Sequence, residues 1–281
     1  LNFLTAISIL PFRDMRIFAG EVVLADIFTE GRLILGVGRG NFRYEMERLG
    51  IPMEETRARF DESLAVLQAL LEREEVSWDG DYYKFDPLTV MPRPINPGGP
   101  PMMMAAVKPD AIYHCARQGY HVQTTPLAGS KSYLQEQVDA FNRGKEEAGD
   151  VGADLTLTLL RVGFMCHSEM EKRERIQMAH AFLGRFDNVH EGAGIVDNGM
   201  VRALPRRQPI DQVAKNALIG MKQEMIDKLS AFDEMGIDRI ILNVNFGCDP
   251  HETLDSIQYF AEEVMPHFAD EKDGDIRKIV A

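Results

Sequence analysis

Two apolar runs, Thr5–Pro11 (TAISILP) and Gly31–Gly40 (GRLILGVGRG), frame a stretch with helical periodicity, and this βαβ pattern limits the possible folds more than any other feature. The first run stops at a proline, which lacks the backbone donor a central strand needs. The second passes straight into a glycine-rich turn carrying one arginine, Arg39. Between them, Asp14 to Thr29 predicts a helix, with Ile17, Phe18, Val22, Val23, Leu24, Ile27 and Phe28 forming a broad apolar stripe. Strands joined through a helix run parallel, and ligands of such proteins sit at the C-terminal ends of the strands. An arginine held there on small residues suits a phosphate, because its planar fork matches the oxygens. A solvated arginine on a structural turn is the plainer reading of the same residues.

The alternation continues. Asn41–Pro52 reads as a loop, Arg57–Glu74 as an amphipathic helix, and Glu75–Phe85 as a hairpin turning at the two residues Asp79-Gly80. After a proline-rich connector come a strand at Met102–Ala106, a helix from Pro109 to Gly119 and a strand at Tyr120–Thr124. Ser130 caps a helix to Ala148, Leu155–Cys166 is the longest strand, and Ser168 with Glu171 opens a helix to Phe186. Asn188–Gln208 has three glycines, a proline and no period, and predicts a long loop. Gln223–Met235 is a helix ended by Gly236, Arg239–Val244 a strand, and Pro250–Phe268 the closing helix. Six strands alternating with helices in one composition regime predict a single domain over 1–281, with 75–100 as a hairpin and connector insertion. The sheet is mainly parallel, open or closed. Six units beginning in mid-strand suggest an eightfold barrel without its first two units.

With 31 Lys and Arg against 44 Asp and Glu, the formal charge of −13 argues against nucleic acid or an anionic membrane as partner. No apolar run is long enough for a membrane span and no signal peptide is visible. Cys115, Cys166 and Cys248 are far apart, which argues against a disulfide framework and fits a reducing cytoplasm. The histidines are equally scattered, without CxxC or HExxH, so no metal site is expected. The glycine turn is not a dinucleotide fingerprint: its third glycine comes one position early and no helix is predicted to follow. Lys108 precedes the Pro109 helix, where backbone N–H groups and the positive end of the helix dipole meet. It is either an exposed loop lysine or, with Arg39, one side of a phosphate-binding mouth. His121 and Thr125, taken to follow the next strand, are candidates for substrate or lid contacts, with a structural role open for the histidine.

These segments resemble the bacterial luciferase-like flavin-dependent monooxygenase family. The resemblance rests on LTAISILP and GRLILGVGRG, with Glu45 and Leu49-Gly50 after them. It extends through AFLGRF (181–186), NALIG (216–220), GIDRIILNVNFG (236–247) and SIQYFAEEVMP (256–266). It covers nearly the whole chain and implies a TIM-like (β/α)8 barrel of the luciferase-like type, here lacking the first two βα units. It also implies a cytoplasmic homodimer that takes reduced FMN from a separate flavin reductase and uses O2 to oxygenate a small organic substrate. By the same resemblance Ala6 and Ile7, joined by a non-prolyl cis peptide, lie under the isoalloxazine, and Gly38 leaves room beside the ring. Arg39 takes the phosphate. Val107, Lys108 and Ala111 stand where luciferases have glutamate, serine and threonine, which shifts that contact to Lys108. Asn188–Gln208 corresponds to the mobile lid, which closes over the site. The family's acid-histidine-histidine segment has no counterpart, so no catalytic residue is assigned and the histidine is expected upstream of Leu1. A deazaflavin-dependent hydride-transfer oxidoreductase and a non-catalytic flavin-binding subunit are the alternatives.

Overall fold

The structure, a computed structural model, describes residues 2–126, 130–190, 194–205 and 208–269. The chain divides into two compact units, Leu1–Ala105 and Ala106–Ala281, each built on parallel strands linked through helices.

In the first unit only Ser8–Ile9 of the expected strand Thr5–Pro11 is a strand, β2; a short β1 (Phe3–Leu4) precedes it and a 3-10 turn at Leu10–Phe12 follows. After α1 (Met15–Phe28), both pair in parallel with the fully buried β3 (Leu33–Gly38), Phe3 opposite Leu33 and Ser8 opposite Val37. Thr5 stitches the gap between them: its hydroxyl donates to the Gly36 carbonyl at 3.0 Å and accepts from the Gly36 N–H at 2.9 Å. The Ala6–Ile7 peptide bond is cis, as the resemblance implies. Asp14 caps α1 by accepting from the Arg16 N–H at 2.9 Å. Phe18, Val22 and Val23 are buried, but Ile17 is 66%, Leu24 45% and Phe28 81% exposed, so the buried stripe is narrower than the sequence predicts.

Asn41–Pro52 is not a plain loop. It contains α2 (Arg43–Arg48), whose Met46 is fully buried beneath the glycine turn. Gly40 there has φ +80, and a Cβ on it would lie 2.0 Å from Met46 Cε. After α3 (Thr56–Glu72) comes an antiparallel hairpin, β4 (Val76–Asp79) and β5 (Lys84–Leu88). Its turn is not the predicted two residues: Asp79 pairs with Lys84, and the chain between curls around Glu62 of α3. The Glu62 carboxylate accepts from Trp78 Nε1 at 3.1 Å and from the N–H groups of Asp81 (3.1 Å), Tyr82 (3.0 Å) and Tyr83 (2.9 Å). A residue from another element thus sets this turn. The unit closes with β6 (Met102–Ala105), parallel to β3, with Met103 and Met104 buried.

The second unit begins with α4 (Pro109–Arg117), β7 (His121–Thr124) and α5 (Lys131–Glu147), the last capped by Ser130 as expected. Then follow β8 (Leu157–Met165), α6 (Glu169–His190), a small hairpin of β9 (Val196–Asp197) and β10 (Met200–Val201), and α7 (Ile210–Asn216). The last elements are β11 (Leu218–Gly220), α8 (Lys222–Met235), β12 (Arg239–Asn243) and α9 (Pro250–Glu263). β8 is the hub: β7, β11 and β12 all pair with it in parallel. Neither α7 nor the fully buried β11 is predicted by the sequence pattern. Val122, Leu157 and Leu159 pack with Ile112, Leu134, Val138 and Phe141 of α4 and α5, and Val162 and Phe164 pack with Ile176 and Leu183 of α6.

The predicted loop Asn188–Gln208 begins inside α6 and contains the β9–β10 hairpin; residues 191–193 and 206–207 lie outside the described residues. Fully buried Asn188 holds the hairpin. Its Nδ2 donates to the carbonyls of Ile195 (2.9 Å) and Arg202 (2.8 Å), and its Oδ1 accepts from the Ile195 N–H (3.0 Å). Three ion pairs tie the outer helices: Lys172 of α6 to Glu224 of α8, Arg175 of α6 to Glu252 of α9 at 2.7 Å, and Lys222 of α8 to Glu263 of α9 at 2.6 Å. Among the described residues no helix is long and apolar enough to cross a membrane.

Candidate active site

In the first unit, Arg39 directly follows the C-terminal end of β3 and is exposed. Arg13, Arg16, Arg57 and Arg59 each hold a carboxylate, whereas Arg39 has no hydrogen-bond or ion-pair partner among the described residues. An uncommitted guanidinium in a chain of charge −13 is a donor set that fits a phosphate. Ala6 is exposed and Ile7 half-buried, so the backbone between β1 and β2 is open to a flat ligand. Gly38 does not leave the vacant room expected of it. A Cβ there would lie 2.1 Å from Ile7 Cδ1, so the Ile7 side chain takes that space.

In the second unit, Lys108 occupies the N-cap position of α4, exposed and without a side-chain partner among the described residues. Val107 contributes only its carbonyl, which accepts from Tyr133 Oη at 3.2 Å and Gln137 Nε2 at 2.5 Å. The Ala111 methyl packs against the hydrophobic core. Of these three candidates, only Lys108 presents a free polar head. Thr125 lies half-buried just past the C-terminal end of β7.

His121 requires a correction: it opens β7 rather than following it, at the opposite end from Thr125. Its Nδ1 accepts from the Thr156 N–H at 3.1 Å and lies 2.9 Å from Thr156 Oγ1. Burial, helped by the nearby cations Arg239 and Lys145, pushes its pKa below the ordinary histidine value. A neutral imidazole tied to backbone at the start of a strand is a structural element.

Sequence reasoning missed Gln123 and Thr158, which face each other across the β7–β8 ladder. Both are buried, and Gln123 Oε1 and Thr158 Oγ1 have no partner among the described residues. Strand alternation puts them on the face opposite Val122 and Leu157, where orphaned oxygens would take up a water or a polar ligand group. Nothing in the sequence marks them, because two isolated polar residues in apolar strands carry no motif. Burial pushes the Cys166 thiol up to about 12 and raises that of Cys248, so neither is an activated nucleophile. Among the described residues there is no group of three or more His, Cys, Asp or Glu placed to hold a metal ion.

A family model described as luciferase-like monooxygenase matches residues 1–239. The chain belongs to this family, and its fold is the TIM-barrel type of luciferase-like proteins. It is similar to the oxygenase component of the flavin-dependent trigonelline monooxygenase of Acinetobacter baylyi, 27% identical over 278 residues, covering 95% of this chain and 76% of that protein. It is also similar to an F420-dependent glucose-6-phosphate dehydrogenase of Nakamurella multipartita, 25% identical over 241 residues, covering 84% and 68%. Among solved structures, the monooxygenase RslO1 from Streptomyces bottropensis superposes with a TM-score of 0.81 at 24% identity, covering 96% of this chain and 79% of that one. Relatives thus include both flavin-dependent monooxygenases and F420-dependent oxidoreductases.

Proposed function

We propose that this chain is the oxygenase of a two-component system, which takes reduced FMN from a separate flavin reductase and uses O2 to oxygenate a small organic substrate. The observation that carries this reading is Arg39: a free guanidinium at the end of β3, in a chain whose monooxygenase relative matches over 95% of its length. The reduced flavin, when bound, supplies the electrons that activate O2. The protein's own contribution is binding and orientation. Arg39 holds the phosphate by a charge-assisted fork, and the exposed backbone at Ala6 gives the ring a surface to lie on, buttressed by Ile7 against Gly38. Lys108, free at the start of α4, is separately available to an anion. Residues 188–208 are read as a lid, and the protein as a cytoplasmic homodimer that meets its reductase transiently. No side chain is assigned a proton transfer.

The second reading is hydride transfer with a deazaflavin, which the F420-dependent relative supports over 84% of this chain. Anaerobic titration with reduced FMN and with reduced F420, followed by O2 uptake, separates the two. Micromolar FMN binding with O2 uptake above that of free reduced flavin is the expected result. F420 binding without FMN binding would replace the first reading with the second, FMN binding without O2 uptake would leave a non-catalytic flavin-binding subunit, and binding of neither would overturn all three.

A further inference from the structure

A cavity of about 330 Å3 opens on the first unit between the 3-10 turn after β2, the start of α1, α3 and the tip of the β4–β5 hairpin. Four cations line it, Arg13, Arg16, Arg59 and Lys84, against one carboxylate, Asp14. Each is paired to a carboxylate, Arg13 to Glu21, Arg16 to Asp14, Arg59 to Glu55 and Lys84 to Asp79, so what the cavity offers is donors held in place rather than an excess of positive charge. Each guanidinium is fixed twice. Arg13 is held by Glu21 at 2.7 Å, with its Cζ 4.8 Å from the centre of the Phe18 ring. Arg16 is held by Asp14 at 2.9 Å and lies 6.0 Å from Phe85. Arg59 is held by Glu55 at 2.9 Å and lies 4.7 Å from Tyr82. Each still has a terminal nitrogen outside its ion pair: Nη2 of Arg13, Nη1 of Arg16 and Nη1 of Arg59. Three forks already immobilised lose little side-chain freedom on binding, which favours a ligand with several oxygens.

We propose that this cavity is a binding site for a small aromatic phosphate monoester. The phosphate matches the guanidinium forks. Its volume is at the lower end of the range for small-molecule pockets and exceeds what a bare phosphate fills. Arg59 covers the Tyr82 ring, so a ligand ring would find its apolar contact at Phe12. Arg39 is not among its residues, so the site stands independently of the cofactor reading.

The test uses Trp78, the chain's single tryptophan. Its Nε1 donates to the Glu62 carboxylate, which also holds the N–H groups of Tyr82 and Tyr83 in the cavity wall, so its fluorescence responds to events there. Phenyl phosphate, titrated into the full chain, should give a saturable change that persists in Arg39→Gln. Arg16→Gln and Arg59→Gln should each weaken it roughly tenfold or more. Circular dichroism checks their folding; if either is unfolded, Lys84→Gln, at a side chain 77% exposed, decides with an expected loss of about threefold. Inorganic phosphate should bind more weakly. The proposal is overturned by an absence of saturation, by equal affinity in the folded cavity variants, by loss of binding in Arg39→Gln, or by inorganic phosphate binding as tightly as the ester.

Discussion

Replacing Gly36 by alanine tests how the first unit is closed. A Cβ at 36 would sit 1.8 Å from the Thr5 carbonyl oxygen and 3.0 Å from the Thr5 carbonyl carbon. Carbon and oxygen without a covalent bond need about 3.3 Å. Both obstacles are backbone atoms, so no rotamer relieves them, and the first strand must retreat by about 1.5 Å to reach that separation. The retreat breaks the pair of hydrogen bonds between the Thr5 hydroxyl and Gly36, now 3.0 and 2.9 Å. Each is worth about 1 kcal/mol, and overpacking adds about 1–3 kcal/mol, for a loss of roughly 3–5 kcal/mol. Two other glycines calibrate the measurement. Gly20, in α1, has nothing within 4 Å of a built Cβ, so Gly20→Ala should stabilise by about 0.5–1 kcal/mol through helix propensity. Gly38→Ala meets only the tip of Ile7, which can rotate away, and should fall between them. Urea melts followed by Trp78 fluorescence read the first unit, and the expected order of stability is Gly20→Ala, wild type, Gly38→Ala, Gly36→Ala. A Gly36→Ala protein within about 1 kcal/mol of wild type would show that the first strand is not held against β3 as described.

If Arg39 anchors the cofactor phosphate, Arg39→Ala should weaken FMN binding by about 2 kcal/mol, roughly thirtyfold; unchanged affinity in a folded variant would remove it from the site. Acid should destabilise the protein in two stages. His121 has a depressed pKa, so its contribution is present above about pH 6.5 and is lost as pH falls through its folded value. Arg175 and Lys222 lower the pKa of Glu252 and Glu263, and for Glu224 the Lys172 ammonium and the Met221 N–H outweigh burial; these contributions hold above about pH 4.3 and disappear below it. Urea midpoints measured against pH should lose the upper stage in His121→Gln and keep the lower one. Asn188→Ala strands the Ile195 N–H and the Arg202 carbonyl, so hydrogen exchange in 194–205 should accelerate while global stability falls by about 1 kcal/mol or less. Unaltered protection there would mean that the hairpin does not depend on Asn188.

The βαβ alternation and the helix caps were legible because they are local: Ser130, Ser168 and Gly236 act on neighbouring backbone groups, and the structure uses all three. What escaped depends on distance along the chain. Asp79-Gly80 reads as a tight turn, but Glu62 from another element widens it. β11 is three residues long, too short for any period, and α2 is a single buried methionine under a glycine. Asn188 looks like a loop residue, yet it is buried in α6 because three distant backbone groups satisfy its amide. The exposed position of Arg39 at the end of β3 was readable from its glycine turn. His121 was misplaced because the end at which a strand residue lies depends on where the strand starts. The cavity of Arg13, Arg16, Arg59 and Lys84 draws on three separate elements, so no motif announces it.

The helix α6 has 22 residues, about 33 Å at 1.5 Å per residue. Lys172 and Arg175, near its start, are tied to α8 and α9, while Asn188 carries the hairpin from its last turn, about 20 Å further along. The two tasks are therefore physically insulated along one rod. Residues 194–205 form a cassette whose side chains can diverge without refitting the helices that brace the sheet, provided position 188 still holds the same backbone groups and the Leu204 N–H still reaches the Gly184 carbonyl at 3.0 Å. Grafting a relative's segment between 194 and 205 thus changes the hairpin and leaves the scaffold's own sequence untouched.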